Sequence, residues 1–225
     1  MKRGFFLFLL LLAALMTVSA CNGRRDTDEH EQETHAARPK PAPVATRPNL
    51  ADSLQLMVRQ LDTARRIGCY DEDFARLMSL HHAGAQRLAG VEISQGKDST
   101  LRAMAQHVVK SHEKDTHVLT LALRRDPPGG QEYRPGNARD PFVRRITAAL
   151  APLRQLPPLP GNVDADFATL MQVHHRSGVA LAQTELAFGR NAEVKDAARR
   201  FVRDQQQEIK QFQRWLQAYA SASGK

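Results

Sequence analysis

The sequence predicts an all-α protein, a four-helix bundle assembled from two copies of one antiparallel helical hairpin. Three observations carry this. Apolar residues recur at spacings of three and four in four long segments. The chain matches itself without a gap at an offset of 93 residues, 71–123 against 164–216. The identical pairs include Asp71/Asp164, Asp73/Asp166, Phe74/Phe167, Leu77/Leu170, Met78/Met171, His81/His174, His82/His175, Leu88/Leu181, Glu92/Glu185 and Gly96/Gly189. Finally, each copy contains one short glycine-marked break, which forces its two helices to fold back on each other.

Residues 1–20 read as a targeting segment, with Lys2 and Arg3 before an apolar run and small residues at its end. Val18-Ser19-Ala20-Cys21 resembles the lipobox of bacterial lipoproteins, which makes Cys21 the expected lipidation site and the membrane an expected partner. Residues 21–48 are expected to form a tether. They lack hydrophobic periodicity, balance five basic against five acidic side chains, and run into Arg38-Pro39-Lys40-Pro41-Ala42-Pro43. Asn22 does not match the aspartate of inner-membrane retention signals, so the expected location faces the periplasm, with the outer membrane favoured over the inner.

Residues 49–225 are expected to form the folded domain. Cys69 is its single cysteine, so no disulfide can form within it and a hydrophobic core must hold it. Of the net charge of +8, the domain carries +6, with 25 basic residues dispersed among 19 acidic ones. No aromatic-flanked basic patch appears, so no nucleic-acid partner is expected.

A first helix is expected over 50–66, packed outside the bundle or at one of its ends. The hairpin repeats follow at 71–124 and 164–217. In the first, Phe74, Leu77, Met78, His81, Ala85, Leu88, Ala89 and Glu92 share one face, with Asp71 as the expected N-cap. Gly96 ends that helix, and Asp98 or Ser99 caps the next, whose stripe is Leu101, Met104, Ala105, Val108, His112, Leu119 and Leu123. The second copy repeats the plan, with Gly189 as the stop and Asn191 as the next start. Between the copies, residues 125–163 hold Pro127-Pro128-Gly129-Gly130, a short helix begun by Asp140 and Pro141, and Pro157-Pro158-Leu159-Pro160. A connector this long can traverse the bundle, which is ferritin-like topology.

The chemistry-bearing motif is Met78-Ser79-Leu80-His81-His82 and its copy Met171-Gln172-Val173-His174-His175. Imidazole with thioether suits copper, and imidazole with carboxylate suits zinc, iron or copper(II). A two-fold relation between the hairpins would bring all four imidazoles together near mid-helix. Asp73 and Asp166 are the nearer candidate supporting carboxylates. Glu92 and Glu185 lie about 15 Å along the axis from their own histidines and can serve only near the opposite copy. On spacing alone two readings stay open, metal ligation or histidines satisfied by hydrogen bonds within a core, and the methionines serve equally as ligands or as filler. His107, His112 and His117, five residues apart, do not share a face and read as solvated or partly buried residues.

At these residues, and at Gln205, Glu208, Ile209, Phe212, Trp215 and Leu216 near the end of the second copy, the chain resembles the ferritin-like family catalogued as domain of unknown function 305. The resemblance covers roughly 71–216. Members are typically exported, often duplicated, and include a periplasmic copper-binding protein. It therefore implies a four-helix bundle and copper handling. Leu88 and Leu181 replace methionines common in the family, and Phe212 replaces another, which weakens the case for copper(I). His112 and Asp115 stand where the second copy has Gln205 and Glu208, and there the first copy also resembles the ferritin-like family catalogued as domain of unknown function 4142.

The resulting expectation is a membrane-tethered, non-enzymatic protein that binds or buffers copper, zinc or iron through His81, His82, His174 and His175, assisted by Met78 and Met171, with no organic cofactor. One alternative is a ferritin-like dimetal oxidase, disfavoured because no Glu-x-x-His occurs. Another is a metal-free envelope module that binds a protein partner. No Ser, Cys or Gly-rich constellation accompanies the histidines to support hydrolysis.

Overall fold

The computed structural model describes residues 49–224 apart from Pro128; the expected signal, tether and Cys21 anchor lie outside them. The described residues form six α-helices and no strand. These are α1 (Leu50–Thr63), α2 (Tyr70–Gln95), α3 (Ser99–Arg125), α4 (Pro141–Leu150), α5 (Val163–Phe188) and α6 (Ala192–Ala222), with one 3-10 turn, Ala151–Arg154, after α4. The fold is the all-α bundle that the periodicity predicts. No described helix is long and apolar enough to cross a membrane.

Most of the boundaries follow side chains that satisfy the free N–H groups of a first helical turn. Asn49, Asp98, Asp140, Asn162 and Asn191 each accept from backbone N–H groups two or three residues ahead. Asp71 departs from expectation. The first residue of α2 is Tyr70, its N-cap is Cys69 without a side-chain bond, and the Asp71 carboxylate instead accepts from the backbone N–H of Arg190 and Asn191, at the start of α6. Asp164 does the same for Lys97 and Asp98, at the start of α3. Each repeat thus caps the other's second helix.

That exchange fixes the topology. The start of α2 lies at the end of α5, and the end of α2 at the start of α5, so the two helices are antiparallel under a pseudo-two-fold. Each packs closely on its hairpin partner, and α3 meets α6 along the sparsest seam of the four. The connector runs from Asp126, beside Asn191 at one end, to Asn162, next to Asp164 at the other. It traverses the bundle as predicted and packs α4 on α5 along the way.

The core is a continuous cluster that includes Phe74, Phe167, Phe201, Phe212 and Phe142. Helix α1 covers α2, with Met57 seated over Gly84, where any Cβ would collide with it. Beside Asp73, Tyr70 stacks on Tyr133, and Phe142 and Phe188 pack against them at tilted angles. Gly68 adopts φ +94° there, and its carbonyl accepts from the backbone N–H groups of Glu132 and Tyr133.

Candidate metal centre

Both histidines of each pair are fully buried, although neighbouring helical residues point about 100° apart. His81 and His174 face each other across the α2/α5 seam, their rings stacked at 3.7 Å between centroids. His82 and His175 point toward α3 and α6. The His82 ring lies tilted against His112 at 4.0 Å between centroids, and His175 lies 5.9 Å from the same ring. The centre is therefore a five-imidazole cluster, and His112, 2% exposed, belongs to it.

The expectation that His107, His112 and His117 share a solvated or partly buried role is corrected for His112, while His107 and His117 are exposed. His112 lies on the apolar stripe of α3 at the position that matches Gln205 in the other repeat, and that register was the available signal. The same register pairs Asp115 with Glu208. These are the carboxylates that reach the cluster. Nε2 of His175 is 3.0 Å from Oε2 of Glu208, and Nε2 of His82 is 3.8 Å from Oδ2 of Asp115. The shorter contact is not in line for a full hydrogen bond, so it counts as a close polar contact.

The four carboxylates singled out by sequence serve elsewhere. Asp73 accepts from the backbone of Ile67 and Gly68 and from the Tyr133 hydroxyl at 2.7 Å, and Asp166 accepts from the Gly161 backbone. Glu92 faces Asp164 and Glu185 faces Asp71, at opposite ends of the bundle. Gly96 and Gly189 leave the space these carboxyls fill. Met78 and Met171 are fully buried members of the hydrophobic core.

Hydrogen-bond partners assign much of the ring chemistry. Nε2 of His174 lies 3.0 Å from the carbonyl of His81, which can only accept, so Nε2 carries the proton and Nδ1 is bare. Nδ1 of His174 lies 3.3 Å from Nδ1 of His175. On α3, Nδ1 of His112 lies 3.3 Å from the Ser111 hydroxyl, while its Nε2 has no partner. Three ring nitrogens of His112, His174 and His175 converge within 4.8 Å, and His82, His112 and Asp115 make a second such group. His81 and His82 also hold both ring nitrogens buried without hydrogen-bond partners.

Burial dominates the electrostatics. It drives His81, His112 and His174 well below the usual imidazole range, helped by the neighbouring rings, and drives His82 down to about 3. These imidazoles are neutral at ordinary pH, the form that ligates metal. Burial, then repulsion from Asp204, pushes Asp115 up to about 7.

An ion held by His112, His174 and His175 would find each ligand's second ring nitrogen already near an oxygen: the Ser111 hydroxyl, the His81 carbonyl and the Glu208 carboxylate respectively. Oriented outer partners of this kind are what metal-binding histidines require. The donor set therefore fits a transition metal that prefers nitrogen with oxygen.

One solved structure, described as the crystal structure of a DUF305 fragment from Deinococcus radiodurans, is 26% identical and covers 68% of this chain and 99% of its own, with a TM-score of 0.49. No curated protein matches the chain. The family model for the domain of unknown function DUF305 matches residues 17–123 and again 130–216, one span over each hairpin repeat. With both repeats accounted for, the chain belongs to the DUF305 family, whose function is unknown.

Proposed function

We propose that this protein binds a transition-metal ion in the buried cluster, with His112, His174 and His175 as ligands, His82 and Asp115 as the adjoining set, and Glu208 and the His81 carbonyl orienting the rings. The observation that carries the reading is the convergence within 4.8 Å of one ring nitrogen from each of His112, His174 and His175, in a cluster where Nε2 of His112 and both ring nitrogens of His81 and His82 are buried without hydrogen-bond partners. A buried polar group without a partner costs about 1–3 kcal/mol, and several such nitrogens in one place are offset most simply by a cation. A core of hydrogen-bonded histidines, the competing account, predicts partners for these atoms.

Nitrogen and carboxylate donors favour copper(II) or zinc over copper(I), since the thioethers of Met78 and Met171 are in the apolar core. Five imidazoles against two carboxylates also depart from the carboxylate-rich set of a dimetal oxidase, so binding or buffering is the better reading than oxygen chemistry. His112 is common to both triads, and its Nδ1 lies against Ser111, which leaves Nε2 as the shared donor and one ion per chain as the expected load. The proposal includes the setting: an exported lipoprotein anchored through Cys21, holding the bundle at a membrane surface.

The test is a titration of chelator-stripped protein with copper(II) and with zinc, read by elemental analysis after desalting. One ion per chain is expected for the wild type and none for the H112A/H174A/H175A variant. Absence of stoichiometric uptake by the wild type would overturn the reading.

A further inference from the structure

We infer that a divalent cation enters the cluster along the cleft between α3 and α6, from the end marked by His107, and that His107 and Glu208 form an outer relay on that route. The inference rests on the metal-binding reading above and adds the path and the residues that make it.

The α3/α6 side of the bundle is open beside the histidines. Helix α1 covers α2, and α4 covers α5, so the α2/α5 side is closed. Among the described residues the α3/α6 seam carries no further helix, and it is the loosest of the four. A cleft of about 500 Å³ lies in it, lined by His107, His112, Asp115, Arg200, Gln205 and Glu208, with Lys110 and Lys114 also on its wall. His107 and Glu208 line an adjoining cleft of about 640 Å³ as well.

Glu208 joins outside to inside. Its Oε1 lies 3.8 Å from Nε2 of His107, whose side chain is 72% exposed, and its Oε2 lies 3.0 Å from Nε2 of the fully buried His175. Deeper in the same cleft are the unpartnered Nε2 of His112 and the unpartnered amide of Gln205. A cation leaving water needs replacement ligands at each step, because a bare charge in a low-dielectric interior is prohibitively costly. Exposed imidazole, bridging carboxylate and buried imidazole supply them in sequence.

The pseudo-two-fold gives the cleft a direction. The position matching His107 is Arg200, and the position matching Glu208 is Asp115. At that end the carboxylate faces a fixed guanidinium, whose charge acts on Asp115 against the effect of burial. Arg200 cannot ligate a metal and repels one. The two ends, alike in backbone, thus differ in whether the residue outside the carboxylate can hold a cation or repels it.

The test measures zinc uptake by the chelator-stripped full chain in stopped flow, with depletion of a fluorescent zinc indicator as the readout, and release into excess chelator. H107A should slow uptake and release together, by about tenfold, as a barrier on the route raised by about 1.4 kcal/mol would, and leave stoichiometry and Kd unchanged. H107R, which copies the Arg200 end, should slow both further, and R200A should slow neither. Wild-type rates in H107A would overturn the relay while leaving the metal site intact. Faster release with unchanged uptake would also overturn it, since His107 would then be a ligand. A wild-type protein that takes up no zinc at equilibrium would overturn the underlying function before any rate is compared.

Discussion

Nε2 of His175 lies 3.0 Å from Oε2 of Glu208, and the repeat register puts Asp115 in the matching place beside His82, 3.8 Å away. A carboxylate behind a metal-binding imidazole fixes its tautomer and raises its basicity, and removing such a partner costs about 10–100-fold in affinity. E208Q is therefore expected to bind copper(II) or zinc 10–100-fold more weakly while retaining the fold, by competition with a chelator of known affinity. Wild-type affinity in E208Q would show that the carboxylate does not orient His175.

His112 offers a cleaner substitution. The other repeat accommodates Gln205 at the matching position, so H112Q should fold with near wild-type melting behaviour in the presence of chelator. It should lose the stabilisation that metal confers. A ligand that binds only the native state adds about 2.7 kcal/mol at a hundredfold excess over its Kd. The measurement is paired thermal melts, with and without metal. A metal-induced shift as large in H112Q as in the wild type would remove His112 from the ligand set.

The ends of the bundle carry a pH dependence of their own. Burial, then repulsion from Asp164, pushes Glu92 up to about 8, against the opposing charge of Arg102. Burial, then the neighbouring Asp71 carboxylate, pushes Glu185 up to about 9, with Lys195 opposing and Glu132 adding to the shift. A carboxyl whose folded pKa is raised binds its proton more tightly in the native state. Its contribution is fully present below the ordinary value of 4.5 and is lost as pH rises through the folded value. Asp115 acts in the same direction as it titrates near 7. The buried imidazoles act oppositely below about pH 7, since the unfolded chain binds protons there that the native state refuses. Stability of the metal-free protein to urea is therefore expected to decline from about pH 7 to 9, and E92Q/E185Q should flatten most of that slope. An equally steep decline in the double variant would show that these carboxyls do not titrate in that range.

The bundle is legible in the sequence because duplication writes every signal twice. A stripe containing Phe74, Leu77, Met78 and His81 carries more weight when Phe167, Leu170, Met171 and His174 repeat it in register. Function is harder to separate from structure for the same reason. Asp73, Asp166, Glu92 and Glu185 are copied as faithfully as the histidines, yet Asp73 and Asp166 bond loop backbone, and Glu92 and Glu185 are buried at the helix ends beside Asp164 and Asp71. The caps exchanged by Asp71 and Asp164 are not local, so a cap rule that looks two or three residues ahead assigns Asp71 to its own helix. His112, Asp115 and Glu208 were reachable by setting α3 against α6 in the repeat register. The five-residue spacing of His107, His112 and His117 obscures them, because it describes a helix surface and says nothing of which residue faces in.

Gly84 tests how tightly α1 is bound to the bundle. A Cβ there would overlap Met57 along most of its side chain, back to the Met57 Cβ at 2.8 Å, so a change of rotamer cannot relieve it and α1 must move. Glycine within a helix costs about 1 kcal/mol relative to alanine, so G84A gains that much in propensity. Overpacking a close helix contact costs about 1–3 kcal/mol, which outweighs the gain when the backbone must shift. G84A is therefore expected to lower stability by up to about 2 kcal/mol, and M57A/G84A to recover part of the G84A loss relative to M57A alone, since the new methyl then fills vacated space. Additivity of the two substitutions in urea unfolding would show that the contact between α1 and α2 is not made through this pair.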